Sequence, residues 1–396
     1  MNILEKYNQE QLERFYKDLN KTEQSKLQKE IESIDFEQIN SLYINSKKDE
    51  IIELKEIKPI KYYIKKKLSK SIIEEYSNLA KEILRKNKLC VITMAGGQGS
   101  RLGVNGPKGM FKLNIDGKLK SLFEINCEKL IKANKQYNIE ILWLIMTSKE
   151  NDLQTQEFFR NNNYFGYPKN RIIFFTQNEI PVLDLNGKIL LEEKYKIKKA
   201  ANGNGDVFEA LSKNNIINKL DNEGIEYISF MGIDNILANP IDYIFLGMMD
   251  YKKYQVASKS IFKENAMEKS AVFCKRRNRP YILGYDKISK ELSEEKAKNG
   301  EFLYRDCNVL SHLMTLKAVK QVIQKDLPYH RVFRKTNALN QNGESVIQDS
   351  FKFEKFIFDA FSYFEDMLVL RIEKDEFAPI KNREDVEFAI KEYNKK

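Results

Sequence analysis

Histidine and cysteine are scarce in this chain of 396 residues: His312 and His330, with Cys90, Cys127, Cys274 and Cys307, are the whole supply. The cysteines lie far apart and form no Cys-x-x-Cys pair, so neither a zinc site nor a disulfide framework is expected. Buried or half-buried thiols are expected instead. Two histidines speak against a His-based metal site. Long apolar runs are also missing, and none approaches the ~20 residues that a membrane helix needs. The N-terminus, Met1-Asn-Ile-Leu-Glu-Lys-Tyr7, lacks the apolar core of a signal peptide, so the cytoplasm is the expected location and no membrane partner is expected. Two common nucleotide loops are missing as well. No Gly-x-x-x-x-Gly-Lys-Ser/Thr string occurs, and Gly97, Gly99 and Gly103 give a spacing one residue too long for Gly-x-Gly-x-x-Gly.

What is present is an ordinary globular composition, 42% apolar and 31% charged, long enough for two or three domains. The net charge of +10 admits a nucleic-acid partner. However, only 13 of the 67 basic residues are Arg, and the Lys residues are scattered among Glu and Asp. Runs such as Lys65-Lys66-Lys67 read as solvated helix faces. No nucleic-acid partner is therefore expected, while a positive field suits anionic sugar phosphates and nucleotides.

Residues 1–88 look helical and polar. Leu4, Tyr7, Leu12, Phe15 and Leu19 recur at helical spacing, as do Ile31, Ile34, Ile39 and Leu42, and a further helix is expected over 69–87. From residue 89, strand and helix alternate. Strands are expected at Leu89–Met94, Glu140–Met146, Arg171–Phe175 and Ile225–Met231, with helices over 121–136, 150–161 and 206–220. That order predicts an α/β, Rossmann-like core with a mostly parallel sheet. Shorter strand signals at Val256–Ile261, Ala271–Cys274 and Tyr281–Tyr285 suggest a mixed or antiparallel extension. The expected organisation is a helical region 1–88, a catalytic domain 89–330 and a C-terminal segment 331–396 that completes the site.

The most informative stretch follows Leu89–Met94. It carries Gly96, Gly97, Gly99, Gly103 and Gly106 together with Arg101 and Lys108. Glycines let a backbone approach a ligand closely and turn its N–H groups inward. The cations add charge where a polyphosphate would lie. In parallel sheets ligands bind outside the C-terminal strand ends, where this loop and Asp234 both fall. Asp234 reads equally as a turn residue or as an oxygen ligand for a hard divalent ion. Gln177, at another strand end, could read a nucleobase edge. In the turn Ala200-Ala-Asn-Gly203-Asn204-Gly-Asp206, Asp206 suits a helix N-cap, and Asn204 could both donate to and accept from a base or sugar. Phe356 and Phe358, two apart on an expected strand, would share one face as core or as a sugar-contacting wall. Lys381 by itself is a lysine in a polar tail.

Taken together, Ala95-Gly-Gly-Gln-Gly-Ser-Arg-Leu-Gly103 followed by Pro107-Lys-Gly-Met110 resembles the signature of the eukaryotic-type UDP-N-acetylhexosamine pyrophosphorylases, within the UDP-sugar pyrophosphorylase family. The similarity continues in order through Trp143–Ser148, Ile173–Gln177, Gly203-Asn-Gly205, Asp234-Asn-Ile-Leu237, Glu354–Asp359 and Glu376-Phe-Ala-Pro-Ile-Lys-Asn382. The resemblance implies a uridylyltransferase that joins UTP and N-acetylglucosamine 1-phosphate into a UDP-sugar and pyrophosphate. It implies that Gly96 and Gly97 lie under the nucleotide, that Gln177 and Gly203 contact uracil, and that Arg101, Lys108 and Lys381 face the phosphates. It implies that Asp234 holds Mg2+, and that Asn204, Tyr285, Asn308, Phe356 and Phe358 border the sugar. The chain departs from the family at Gly284, where a sugar-contacting Glu is usual, and at Ala271, where Gly is usual. Glucose 1-phosphate or galactose 1-phosphate therefore stays an alternative substrate. A catalytically silent nucleotide-sugar binding protein stays an alternative of another class.

Overall fold

The run Leu89–Met94 forms a strand buried along its whole length, as a strand covered on both faces must be to read as an unbroken apolar stretch. The computed structural model describes residues 2–46 and 52–395. In chain order the central strands are β1 (Tyr63–Ile64), β2 (Leu89–Met94), β3 (Leu142–Thr147), β4 (Ile172–Thr176), β5 (Tyr227–Gly232), β6 (Val256–Phe262), β7 (Asp306–Thr315) and β8 (Leu368–Arg371). They lie in the order β1-β8-β6-β7-β5-β2-β3-β4. Among these described strands β7 alone runs against its neighbours, and every other adjacent pair is parallel. A branch of Ile57–Lys58, Val272–Arg276 and Arg279–Leu283 completes an 11-stranded sheet. The sheet is thus mostly parallel with a mixed side, as the strand–helix alternation predicts.

The helices that follow β2 and β4 take their bounds from local chemistry. Leu122–Tyr137 starts at Ser121, whose side chain accepts from Glu124 N while the Glu124 carboxylate accepts from Ser121 N. The helix expected over 206–220 is two helices, Val207–Lys213 and Ile216–Asn222, because Asn215 between them takes a left-handed backbone with φ 55°. Asp206 precedes them, fully buried, and its carboxylate accepts from the backbone and side-chain amides of Asn178.

The chain condenses into two units that cut across the sequence. One comprises Ile52–Gln177, Val207–Asp326 and Phe358–Lys396, and it carries the large sheet. The other comprises Met1–Ile51, Asn178–Asp206 and Leu327–Ile357. Its core joins Leu4, Leu12, Leu27, Ile31 and Phe36 to Ile180, Leu183, Ile189 and Phe353. Residues 1–88 are therefore shared between the units: the early helices Lys21–Glu32 and Phe36–Ser46 sit in the second, and Lys70–Arg85 in the first. The second unit also holds a long hairpin, Tyr329–Leu339 with Ser345–Lys355.

That hairpin corrects one expectation. Phe356 and Phe358 do not share a strand face, because the strand ends at Lys355 and a 3-10 turn spans Ile357–Tyr363. The ladder stops where Ile357 N donates instead to Asn204 Oδ1, at 2.9 Å. Tyr285 likewise lies beyond its expected strand, which ends at Leu283.

Candidate functional site

The glycine-rich loop leaves β2 at its C-terminal end and folds back on itself. Gly99 N donates to Gly106 O (2.8 Å), and Lys108 N donates to Gly97 O (3.0 Å). This second bond returns Lys108 to the start of the loop. Asn151 fastens the loop from outside: its side-chain amide donates to Ala95 O (3.0 Å) and Gly97 O (3.4 Å), and its Oδ1 accepts from Ser148 N (2.9 Å). Asn151 was not singled out in the sequence, although a polar residue between a strand end and a helix was a usable signal. Arg383 is a second unforeseen support, donating through Nε to Leu102 O at 3.3 Å.

Two neighbouring glycines have different reasons to be glycine. A Cβ on Gly96 would meet Gln177 Nε2 at 1.9 Å, so the Gln177 amide packs directly on its backbone. A Cβ on Gly97 would meet nothing within 4 Å. No atom of the described residues occupies that space, which leaves room for a ligand to approach this backbone closely. Beside them, the Gln177 Oε1 and Ser148 Oγ atoms are buried with no hydrogen-bond partner among the described residues. Each unmet buried polar group costs about 1–3 kcal/mol.

Asp234 follows β5. Its Oδ2 accepts from Lys108 Nζ at 3.0 Å, and the two side chains are 26% and 12% exposed. A carboxylate and an ammonium from distant parts of the chain thus meet at the edge of the sheet. The C-terminal segment is laid against the same turn. Ala378 N donates to Asn235 Oδ1 (3.0 Å) and Ile380 N to Asp234 O (2.9 Å), so Lys381 follows directly from a residue bonded to Asp234. Lys381 N donates to Asp385 Oδ2 (2.7 Å). The Lys381 and Arg101 side chains are exposed. Gly96, Gly97, Lys108, Gln177 and Asp234, with the Lys381 backbone, are therefore assembled in the sheet-bearing unit. Asn308 belongs to the same unit, in β7, and its Oδ1 accepts from Leu310 N at 3.1 Å. Tyr285 is exposed in the turn after Leu283, and Phe358 is half-buried.

Gly203, Asn204 and Phe356 come together in the other unit. Gly203 has φ +89°, and a Cβ there would meet Lys355 O at 2.5 Å, so the turn lies hard against the end of the hairpin. Lys355 N donates to Asn202 O at 2.6 Å.

The cysteines take no part. All four are free and buried, and burial pushes the thiols of Cys127, Cys274 and Cys307 up to about 12. His312 is buried mid-sheet against Phe361 and hydrogen-bonds Ser258 Oγ at 2.9 Å. No group of three or more His, Cys, Asp or Glu side chains able to cage a metal occurs among the described residues. Among them, no helix is long and apolar enough to cross a membrane.

Comparison with known proteins identifies the family and the fold. The family model described as UTP--glucose-1-phosphate uridylyltransferase matches residues 34–392. The UDP-N-acetylglucosamine pyrophosphorylase of Saccharomyces cerevisiae is 33% identical over 352 residues, covering 85% of this chain and 73% of that one. The crystal structure of the uridine diphosphate N-acetylglucosamine pyrophosphorylase of Trypanosoma brucei, determined with an inhibitor, superposes with TM-score 0.82 at 25% identity, over 98% of this chain and 82% of that one. A UDP-glucose phosphorylase from the same organism shares the fold, with TM-score 0.70 at 18% identity over 92% and 77% of the two chains.

Proposed function

We propose, for a chain that belongs to the UTP--glucose-1-phosphate uridylyltransferase family, that it makes UDP-N-acetylglucosamine from UTP and N-acetylglucosamine 1-phosphate. A phosphate oxygen of the sugar phosphate attacks the α-phosphorus of UTP in line. The bond from that phosphorus to the β-bridging oxygen breaks, and pyrophosphate leaves with the electron pair. No covalent intermediate with the protein is required. The observation that carries the reading is that Gln177, whose buried Oε1 has no partner among the described residues, and the Lys108–Asp234 ion pair lie about one glycine, Gly97, with open space over its backbone.

The obstacle to this reaction is charge, since an oxyanion must approach a triphosphate. Each unit-charge pair at ~4 Å repels by ~4 kcal/mol at an effective dielectric of ~20. Lys108, Arg101 and Lys381 supply the opposing charge, and transfer of this kind is accelerated mainly by positioning and electrostatics. Gly96 and Gly97 lie under the nucleotide, and Gln177 reads the uracil. Tyr285, Asn308 and Phe358 of the same unit border the sugar. A single accessible carboxylate at a strand end fits Mg2+, which keeps several waters and takes one or two carboxylates plus substrate phosphates. Asp234 would hold it, and the ion would supply positive charge to offset that of the phosphates.

The test is pyrophosphate release from UTP and Mg2+ over a panel of sugar 1-phosphates. N-acetylglucosamine 1-phosphate should give the highest kcat/KM. Preference for glucose or galactose 1-phosphate would favour the second reading, which rests on Gly284 and Ala271 standing where sugar-side Glu and Gly are usual. Nucleotide binding with no release for any sugar would indicate a silent binding protein.

A further inference from the structure

Lys65 stands outside the loop and turn described above, yet it touches the segments that carry both Asp234 and Lys381. It directly follows β1, whose parallel pairing with β8 fixes the backbone there. The Arg371 guanidinium lies over the ring of the nearby Tyr62, 3.8 Å from its centroid. From this held position the Lys65 ammonium donates to Asp242 Oδ2 (3.1 Å) and to both oxygens of Glu376 (3.0 and 2.9 Å). Asp242 ends the stretch that begins at Asp234, and Glu376 opens the stretch that ends at Lys381.

Asp242 is itself firmly placed. It is shared with Lys259 Nζ at 2.7 Å, those two side chains being 7% and 4% exposed, and its Oδ1 caps the helix Tyr243–Tyr251 by accepting from Phe245 N at 3.1 Å. Burial pushes the Asp242 carboxyl up, but the charges of Lys259 and Lys65 outweigh it and hold the group below the usual carboxylate range. Burial likewise pulls Lys65 down, and Asp242 with Glu376 more than offsets it. The four side chains carry two charges of each sign, so the cluster is balanced as it stands.

Near the site the two segments are joined by the hydrogen bonds of Ile380 N to Asp234 O and Ala378 N to Asn235 Oδ1, and Ala378 and Ile380 are buried in the same apolar cluster as Ile236 and Leu237. A cavity of about 700 Å³ is bordered by Ile236, Leu237, Ile241, Asp242, Glu376 and Lys65. At this cavity Lys65 supplies a charged tie from Glu376 to the stretch Asp234–Asp242, and Lys129 Nζ adds a bond to Ala238 O within that stretch.

We propose that Lys65 is a positioning residue for uridylyl transfer, fastening the Lys381 segment to the Asp234 turn through Glu376 and Asp242. The inference rests on the reading that Asp234 and Lys381 act on the phosphates. Without Lys65, Asp242 keeps Lys259, but Glu376 loses its partner and is free to turn to solvent. The Lys381 segment then loses its charged anchor, and a displacement of about 1 Å at a catalytic group costs up to ~100-fold in rate.

The experiment compares Lys65→Met, Lys65→Arg, Glu376→Gln and Lys381→Ala with the unaltered protein, each checked by circular dichroism and assayed well below its Tm. Lys65→Met should lower kcat by about 10–100-fold with KM for UTP within about threefold, and Lys65→Arg should recover most of kcat. A merely structural role would lower Tm and leave the kcat of folded enzyme unchanged. Folded Lys65→Met with kcat within about threefold of the parent, while Lys381→Ala is crippled, overturns the inference and leaves the site reading standing. Full activity in Lys381→Ala overturns the site reading instead. If Lys65→Met does not fold, Glu376→Gln decides: a severalfold fall in kcat supports the bridge, and an unchanged kcat overturns it.

Discussion

Replacing Lys108 with methionine keeps most of the length of the side chain and removes its charge, and the structure sets the size of the effect. Lys108 is returned to the loop by its N–H bond to Gly97 O and aims Nζ at Asp234 from 3.0 Å. A full charge at ~4 Å from a phosphate oxygen is worth ~4 kcal/mol at an effective dielectric of ~20. At 12% exposure the lysine is screened little, though the carboxylate beside it is screened more. Losing one preorganised charge stabiliser costs about 2.7–4 kcal/mol, or 100–1,000-fold in kcat. Stability should barely move. Asp234 is a quarter exposed and regains water when its partner is lost, which limits the penalty to about 1 kcal/mol. The assay is the initial rate of pyrophosphate release at saturating UTP and sugar 1-phosphate, beside a thermal melt of the same preparation. A folded Lys108→Met enzyme within about fivefold of the parent rate would refute the electrostatic role. A large drop in Tm would show that the ion pair belongs to the fold rather than to the reaction.

Gly97→Ala should leave Tm unchanged, because its Cβ enters open space, yet raise KM for UTP by about tenfold, equivalent to ~1.4 kcal/mol. Equal UTP saturation curves for the two proteins would remove that glycine from the nucleotide site. Gln177→Ala deletes an amide oxygen that has no partner among the described residues, so the free protein should lose no stability while its preference for UTP over CTP falls; unchanged discrimination in competition assays would move base reading elsewhere. Burial depresses the His312 pKa to about 3. Between the ordinary value near 6.5 and that depressed value the unfolded chain takes a proton that the folded chain refuses, so stability falls as pH falls. From pH 7 to 5.5 this costs about 1 kcal/mol, and urea unfolding of His312→Gln should lack that increment. Equal pH slopes in the two proteins would refute the assignment.

Much of the fold was legible because its signals are local. Leu89–Met94 and its glycine loop are contiguous, so the strand, the turn and both loop cations can be read within one stretch. What stayed hidden depends on residues far apart in sequence. Asp234 reads equally as turn or ligand until Lys108 is seen beside it, and Lys381 is only a tail lysine until Ile380 is seen bonded to Asp234 O. The strand Tyr329–Leu339 carries little apolar alternation, because Arg331 and Lys335 lie on one face and Arg334 on the other, all exposed. Phe356 and Phe358 were misread for the opposite reason. Their local spacing suits a strand, but Asn204 intercepts the next backbone donor and ends the ladder.

The Lys108–Asp234 pair also bears on the order of events at the site. Without nucleotide, each group neutralises the other, so neither stands as an unpaired charge in a half-buried place. An arriving triphosphate offers Lys108 several anionic oxygens in place of one carboxylate, and Lys108 turning to them leaves Asp234 without its cation. A divalent ion brought in with the phosphates would restore that balance. If Asp234 holds Mg2+, nucleotide and ion would each remove the penalty the other creates, and their binding would be mutually dependent. Asp234→Asn cuts that link: the neutral amide needs no replacement for Lys108. In calorimetric titrations the affinity of the parent for UTP should rise steeply with Mg2+, and that of the Asn variant should rise far less. A variant with the parent's full Mg2+ dependence would place the ion on other groups and break the argument at its first step.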